Sequence, residues 1–117
     1  MQDESPETFG TITGTIFYLQ RIALPPDSVV QIQLADVSRM DASAFMMASQ
    51  QFITDGRQVP LPFSLTYDTV GIRDDGTYTV SAKIYVDGVL RWTSDSHNPV
   101  ISNGVAQVDV RLVQVGG

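Results

Sequence analysis

Two adjacent prolines, Pro25 and Pro26, stand immediately before a stretch that alternates apolar and polar side chains, and they fix where a β-strand can start. Proline has no amide hydrogen to give to a ladder, so pairing begins only beyond Pro26. From there Val30, Ile32 and Leu34 fall on one side and Gln31 and Gln33 on the other, the period of two that one buried face imposes on a strand. The same grammar recurs elsewhere. Residues 11–19 put Ile12, Gly14, Ile16 and Tyr18 on one face, and the glycine among them predicts a bulge or a close backbone approach. Pro60, Pro62, Phe63, Leu65 and Tyr67 alternate again, and the prolines predict an edge strand or the entrance to one.

The C-terminal third carries three turn dipeptides, Asp75-Gly76, Asp87-Gly88 and Asn103-Gly104, which tolerate positive φ and predict antiparallel hairpins. Strands are expected over residues 78–86, 89–93 and 105–115. Their predicted core faces are Tyr78, Val80, Ala82, Ile84 and Val86, then Leu90 and Trp92, then Ala106, Val108, Val110 and Leu112. One region is ambiguous. Asp41 is a possible cap for a short helix over residues 42–47, whereas the β-rich surroundings and Gly56 favour a strand over residues 45–54. The expectation is an all-β fold, an antiparallel β-sandwich of about seven strands. A flexible leader is expected over residues 1–9, followed by a single domain over residues 10–117.

Composition narrows the function. A net charge of −6, with Lys83 the only lysine among seven basic residues, argues against a nucleic-acid partner. Arg21, Arg57, Arg73 and Arg91 are spread singly and are expected to pair with neighbouring carboxylates. There are no cysteines, which removes disulfides, thiolate nucleophiles and cysteine-based zinc sites. The opening QDESPE has neither the basic nor the apolar region of a signal peptide, and no apolar run is long enough to span a bilayer as a helix.

The chemistry-bearing side chains do not converge on a catalytic motif. His97, the single histidine, sits close in sequence to Ser94, Asp95 and Ser96, whereas nucleophile, base and orienting acid normally arrive from separate elements. His97 is therefore expected to be a loop residue. Asp68, Asp74 and Asp75 lack calcium-loop spacing, and no phosphate-binding glycine motif occurs, so neither metal nor cofactor is expected. Trp92, Tyr18 and Tyr78 fall on predicted core faces, whereas Tyr85 lies on the polar face beside Lys83 and is a candidate contact. Residues 44–52 put Phe45, Met46 and Met47 in the least regular part of the chain. Methionine suits surfaces that adapt to a partner, and an edge strand there would offer backbone groups or an apolar groove. Phe45, Met46, Met47 and Tyr85 are the candidate partner-binding residues. The alternative is a small-ligand or saccharide-binding module rimmed by Trp92, Tyr85 and residues 95–99.

Four segments carry a family resemblance: RIALPP at residues 21–26, VPLPFSLTYD at 59–68, TYTVSAKI at 77–84 and WTSD-x-x-x-PV at 92–100. Together they resemble the YbaY-type family of bacterial envelope lipoproteins, to which the type III secretion pilotin YscW is related. The resemblance covers residues 10–115. It implies a non-enzymatic, periplasmic domain held at the outer membrane by a lipid on a cysteine upstream of this chain. It also implies an envelope protein as partner, for a pilotin a segment of a secretin.

Overall fold

The computed structural model describes residues 9–39, 44–95 and 97–116. The expected leader lies outside them except for Phe9, which already belongs to the first strand. Asp41 and the start of the alternative helix are outside them as well. Eight strands follow in order: β1 (Phe9–Phe17), β2 (Val29–Asp36), β3 (Phe45–Ile53), β4 (Leu61–Asp68), β5 (Tyr78–Val86), β6 (Val89–Ser94), β7 (Pro99–Val100) and β8 (Gln107–Gln114). The ambiguous region is a strand from Phe45 onward.

The strands form one continuous path, β3-β2-β5-β6-β8-β1-β4, with β7 added on β5. This corrects the expected sandwich. Two separate antiparallel sheets do not form; a single sheet curls until its two end strands, β3 and β4, lie alongside each other in a nearly closed barrel. Nor is every pair antiparallel, because β1 and β8 run parallel, from Thr13↔Gln107 to Phe17↔Arg111. That pairing joins the two ends of the chain and leaves no local trace in sequence. β8 then bends away from β1 and continues against β6, from Ser94↔Leu112 to Trp92↔Gln114. A strand that serves two neighbours in succession makes the corner of a barrel.

The core follows the alternation of the strands. Ile12, Ile16, Val30, Ile32, Leu34, Val80, Ile84, Val110 and Leu112 are all fully buried or nearly so. Tyr18 stacks on Trp92 with ring centroids 3.7 Å apart and an interplanar angle of 9°. The Tyr18 hydroxyl donates to the Ile22 carbonyl, and burial raises the pKa of the phenol. One expected core residue is turned outward: the register shifts between Ile84 and Tyr85, so Trp92 stays inside opposite Ile84 while Leu90 comes to lie opposite Tyr85. Val86 and Val108 are half-buried and Ala106 is exposed.

Of the three turn dipeptides only Asp87-Gly88, with φ of 52° and 79°, makes a hairpin turn between paired strands. Asp75-Gly76 instead leads from the 3-10 turn at Thr69–Gly71 into β5, and β4 and β5 are not neighbours. Asn103-Gly104 lies in a second 3-10 turn, Ser102–Gly104, ahead of β8.

The double proline is an anchor for the end of the barrel. The Pro25 carbonyl accepts from Ser28 N at 3.1 Å, Ser28 Oγ at 2.7 Å and Thr54 Oγ1 at 3.1 Å, which ties the start of β2 to the end of β3. The Gln58 amide completes the clamp: its Oε1 accepts from Leu24 N at 2.6 Å and its Nε2 donates to Leu24 O at 3.0 Å.

Gly14 is where β1 and β8 meet most closely. A Cβ there would stand 1.7 Å from the Val108 carbonyl oxygen, which is backbone and cannot rotate away. Gly14→Ala is therefore expected to force the parallel pair apart and to cost about 2–3 kcal/mol in urea unfolding. Gly71→Ala, whose added methyl would meet nothing nearer than Met47 Cε at 3.9 Å, is expected to stay within about 0.5 kcal/mol of the parent.

Candidate partner-binding site

Curling a sheet without closing it leaves two strand edges facing each other. No ladder joins β3 to β4 among the described residues, and between them lies a groove of about 420 Å³ lined by Gln50, Phe52, Arg57, Pro62, Phe63 and Ser64. Both aromatics pack against the core from opposite sides of the seam, Phe63 buried and Phe52 half-buried. The Arg57 guanidinium lies 5.4 Å from the centroid of the Phe52 ring. It is held there by Nε donating to Thr54 O at 2.9 Å and Nη2 donating to Ile53 O at 3.3 Å. The expected carboxylate partner of Arg57 is thus replaced by the carbonyls at the end of β3. Inside the seam Gln50 Oε1 is buried and accepts no hydrogen bond from the described protein groups.

The two edges are not equivalent. β4 carries Pro62 within the strand and Asp68 at its end, devices that discourage further pairing. β3, FMMASQQFI, is nine residues long with neither proline nor charge.

Phe45 and Met46 begin β3 with 70% and 47% of their surface exposed, while Met47 is half-buried and packs against the core at the register shift opposite Leu34 and Ala35. These three therefore sit together at one end of the seam. Tyr85 does not join them. It lies opposite Val29, which lies opposite Ile53, so it stands at the level of the far end of β3, about 26 Å from Phe45 along the strand. There it belongs to a solvent-side row of apolar positions, Ile53, Val29, Tyr85 and Leu90, that crosses four strands. Gln50, Arg57 and Phe63 were absent from the sequence-based candidates. No local signal marks them, because the groove exists only where the two ends of the strand path meet.

The other candidates have structural occupations. Trp92 is 3% exposed beneath Tyr18, so the aromatic rim required for a saccharide module does not assemble. Ser94 Oγ accepts from Ala82 N at 3.1 Å, and the Asn98 side-chain Nδ2 donates to Val80 O at 3.2 Å while the Asn98 backbone carbonyl accepts from Val80 N at 3.0 Å. These groups cover the stretch of β5 between its pairings with β6 and β7. His97 is exposed in the loop beside them, and Ser96 lies outside the described residues. Asp68 caps the 3-10 turn by accepting from Val70 N at 2.8 Å, and no cluster of potential metal ligands occurs among the described residues.

At the Phe45 end of the seam, the Ser38 hydroxyl donates to Asp36 Oδ1 at 2.6 Å and the Ser38 amide at 2.9 Å. These bonds, with a smaller contribution from the charge of Arg73, hold the Asp36 carboxyl below the usual range.

The sequence profile of type III secretion system lipoprotein chaperones matches residues 7–112, and the chain belongs to this YscW family. Among its relatives, the uncharacterized lipoprotein YbaY of Escherichia coli K12 is 34% identical over 104 residues, covering 89% of this chain and 55% of YbaY. The chain thus spans about half the length of that relative. A solved structure, an alternative pilotin from the type II secretion system of Vibrio cholerae, superposes with a TM-score of 0.90 at 46% identity, covering 93% of this chain and 99% of the other.

Because its native pKa is depressed, Asp36 stabilises the fold above the ordinary carboxylate pKa of about 3.9, and that contribution is lost as pH falls through the lower native value. Thermal melts of Asp36→Asn against the parent are expected to show the largest deficit near neutrality and a shrinking one below about pH 4. A deficit independent of pH would mean that the carboxylate's charge plays no part.

Proposed function

We propose that this chain is the folded domain of a periplasmic lipoprotein of the outer membrane that acts as a pilotin-like chaperone, not as an enzyme. Its partner is an envelope protein, an outer-membrane secretion subunit such as a secretin, one segment of which the domain captures for delivery to the membrane. The observation that carries this reading is the seam between β3 and β4, a groove with aromatic walls and open strand edges in a chain 46% identical to a pilotin. Fold alone would not suffice, since one fold hosts many functions. Phe45, Met46 and Met47 form the entrance of the binding surface, Phe52 and Phe63 its walls, and Tyr85 a separate contact on the outer face. The membrane is reached through a lipid anchor joined to the N-terminal side of Phe9.

Photo-crosslinkers placed at Phe45, Met47, Phe52 and Tyr85 in cells carrying the lipidated protein test this reading. Adducts to a secretin or another outer-membrane secretion subunit are expected from the three β3 positions. Phe52→Ala is expected to weaken that association about tenfold or more, the scale of a buried aromatic anchor. Absence of specific adducts at all three β3 positions would overturn the assignment.

A further inference from the structure

We infer that the barrel holds a second site, a pocket for a compact carboxylic acid, in which Arg91 takes the carboxylate and the RIALPP loop receives the apolar body. The site stands apart from the protein-binding surface above. It lies where β5 turns into β6, whereas Phe45 lies opposite Asp36, which lies opposite Tyr78 at the start of β5. The cavity, of about 270 Å³, is lined by residues 22–25 of the loop between β1 and β2, by Val86, Arg91 and Trp92 of the β5–β6 hairpin, and by Gln114 at the end of β8. Small-molecule sites span roughly 300–1,000 Å³. A cavity just below that range suits a single ring or a short branched chain and is too small for an oligosaccharide or a long acyl chain.

The loop belongs to no strand, yet its wall-forming backbone is pinned residue after residue. The Tyr18 hydroxyl holds Ile22 O, the Gln58 side chain holds both Leu24 N and Leu24 O, and Ser28 and Thr54 hold Pro25 O. On the facing wall, Val115 N donates to Arg91 O at 2.8 Å and Trp92 is stacked with Tyr18. Walls held in this way are formed before a ligand arrives, so little ordering entropy opposes binding.

The placement of Arg91 names the ligand's chemistry. Pairing passes from Ile84↔Trp92 directly to Tyr85↔Leu90, so Arg91 is the extra residue of a β-bulge. In a regular strand Arg91 would lie opposite Tyr85 on the outer face; the bulge gives that position to Leu90 and brings Arg91 to the pocket beside Trp92. Bulges re-aim side chains in this manner next to active sites. The guanidinium makes no ion pair and no hydrogen bond among the described residues, although Asp87 stands on the same hairpin. Beside it are the apolar walls of Ile22, Leu24, Pro25, Val86 and Trp92, with the Gln114 amide as a further polar group. A carboxylate accepts two parallel hydrogen bonds from a guanidinium, and an apolar body attached to it meets those walls. A cation is repelled by Arg91, and a sugar would set its hydroxyls against apolar carbon.

Trp92 is the single tryptophan, so its fluorescence reads the pocket directly. Titration of the full chain with phenylacetate and with isovalerate, each against its primary amide, is expected to give a saturable change with the acids and about tenfold weaker binding of the amides. Arg91→Gln, at an exposed position, is expected to weaken the acids about tenfold while leaving the amides and the melting temperature unchanged. Amide shifts induced by the acids are expected to cluster at Ile22, Leu24, Val86 and Gln114. No saturable response to either acid would overturn the site, as would equal binding of acid and amide or indifference to Arg91→Gln. A response confined to anionic phosphatidylglycerol vesicles, or to the free C-terminus of a hexapeptide, would assign this end of the barrel to a membrane or to a partner chain and overturn the small-acid reading. None of these outcomes bears on the crosslinking from β3, which judges the protein-binding role separately.

Discussion

The structure hangs on the parallel pairing of β1 with β8. β8 gives its first half to β1 and its second half to β6, and among the described residues it alone joins the β1-β4 pair to the rest of the ladder. Its hold is part backbone and part side chain: Thr13 N donates to Ala106 O at 3.0 Å, Thr15 Oγ1 donates to Asp109 Oδ1 at 2.8 Å, and Ile16, Val110 and Leu112 are buried behind. Gly14 permits the approach by leaving room for the Val108 carbonyl. Because the corner is made there, at the far side of the barrel, the opening falls between β3 and β4.

That opening sets a trade between stability and the binding proposed for it. A closed barrel removes every edge, whereas this one keeps two strands with unpaired backbone along the seam. The barrel offsets the loss by bracing the ends of β3: the Pro25 carbonyl with Ser28 and Thr54 at one end, the Asp36–Ser38 hydrogen bonds beside Phe45 at the other. β3 is thus held against β2 on both sides of the register shift at Met47 while no ladder joins its outer edge to β4. An uncharged edge of this length is an aggregation hazard in a free protein and an asset for the binding role proposed above.

Much of this was legible in the residues because it is local. Alternation located β1, β2, β5 and β6, and Asp87-Gly88 announced the tight hairpin between β5 and β6. The prolines around residue 60 suited an edge strand or the entrance to one, and β4 is an edge; the Phe45-Met46-Met47 run lies in the strand at the other end of the path. What was hidden is nonlocal. A contact between Thr13 and Gln107 has no signature at either position, so one curled sheet and two stacked sheets write the same alternation. The shift that turns Leu90 outward is a single unpaired residue, Arg91, within an otherwise regular strand. Gln50 and Arg57 gain meaning only once the ends of the path come together, and Tyr85 shares the polar face read for it without sharing the seam.

Amide hydrogen exchange of the free protein, resolved residue by residue, tests the open seam most directly. An edge strand bonded on one side is expected to alternate along its length, with amides directed at β2 protected and those directed at β4 exchanging at rates near those of exposed backbone, against uniform protection in β2 and β5. That alternation would establish β3 as a free edge in a barrel that remains open. Uniformly slow exchange along β3, equal to that of β2, would mean that β3 is paired on both sides and would contradict the account.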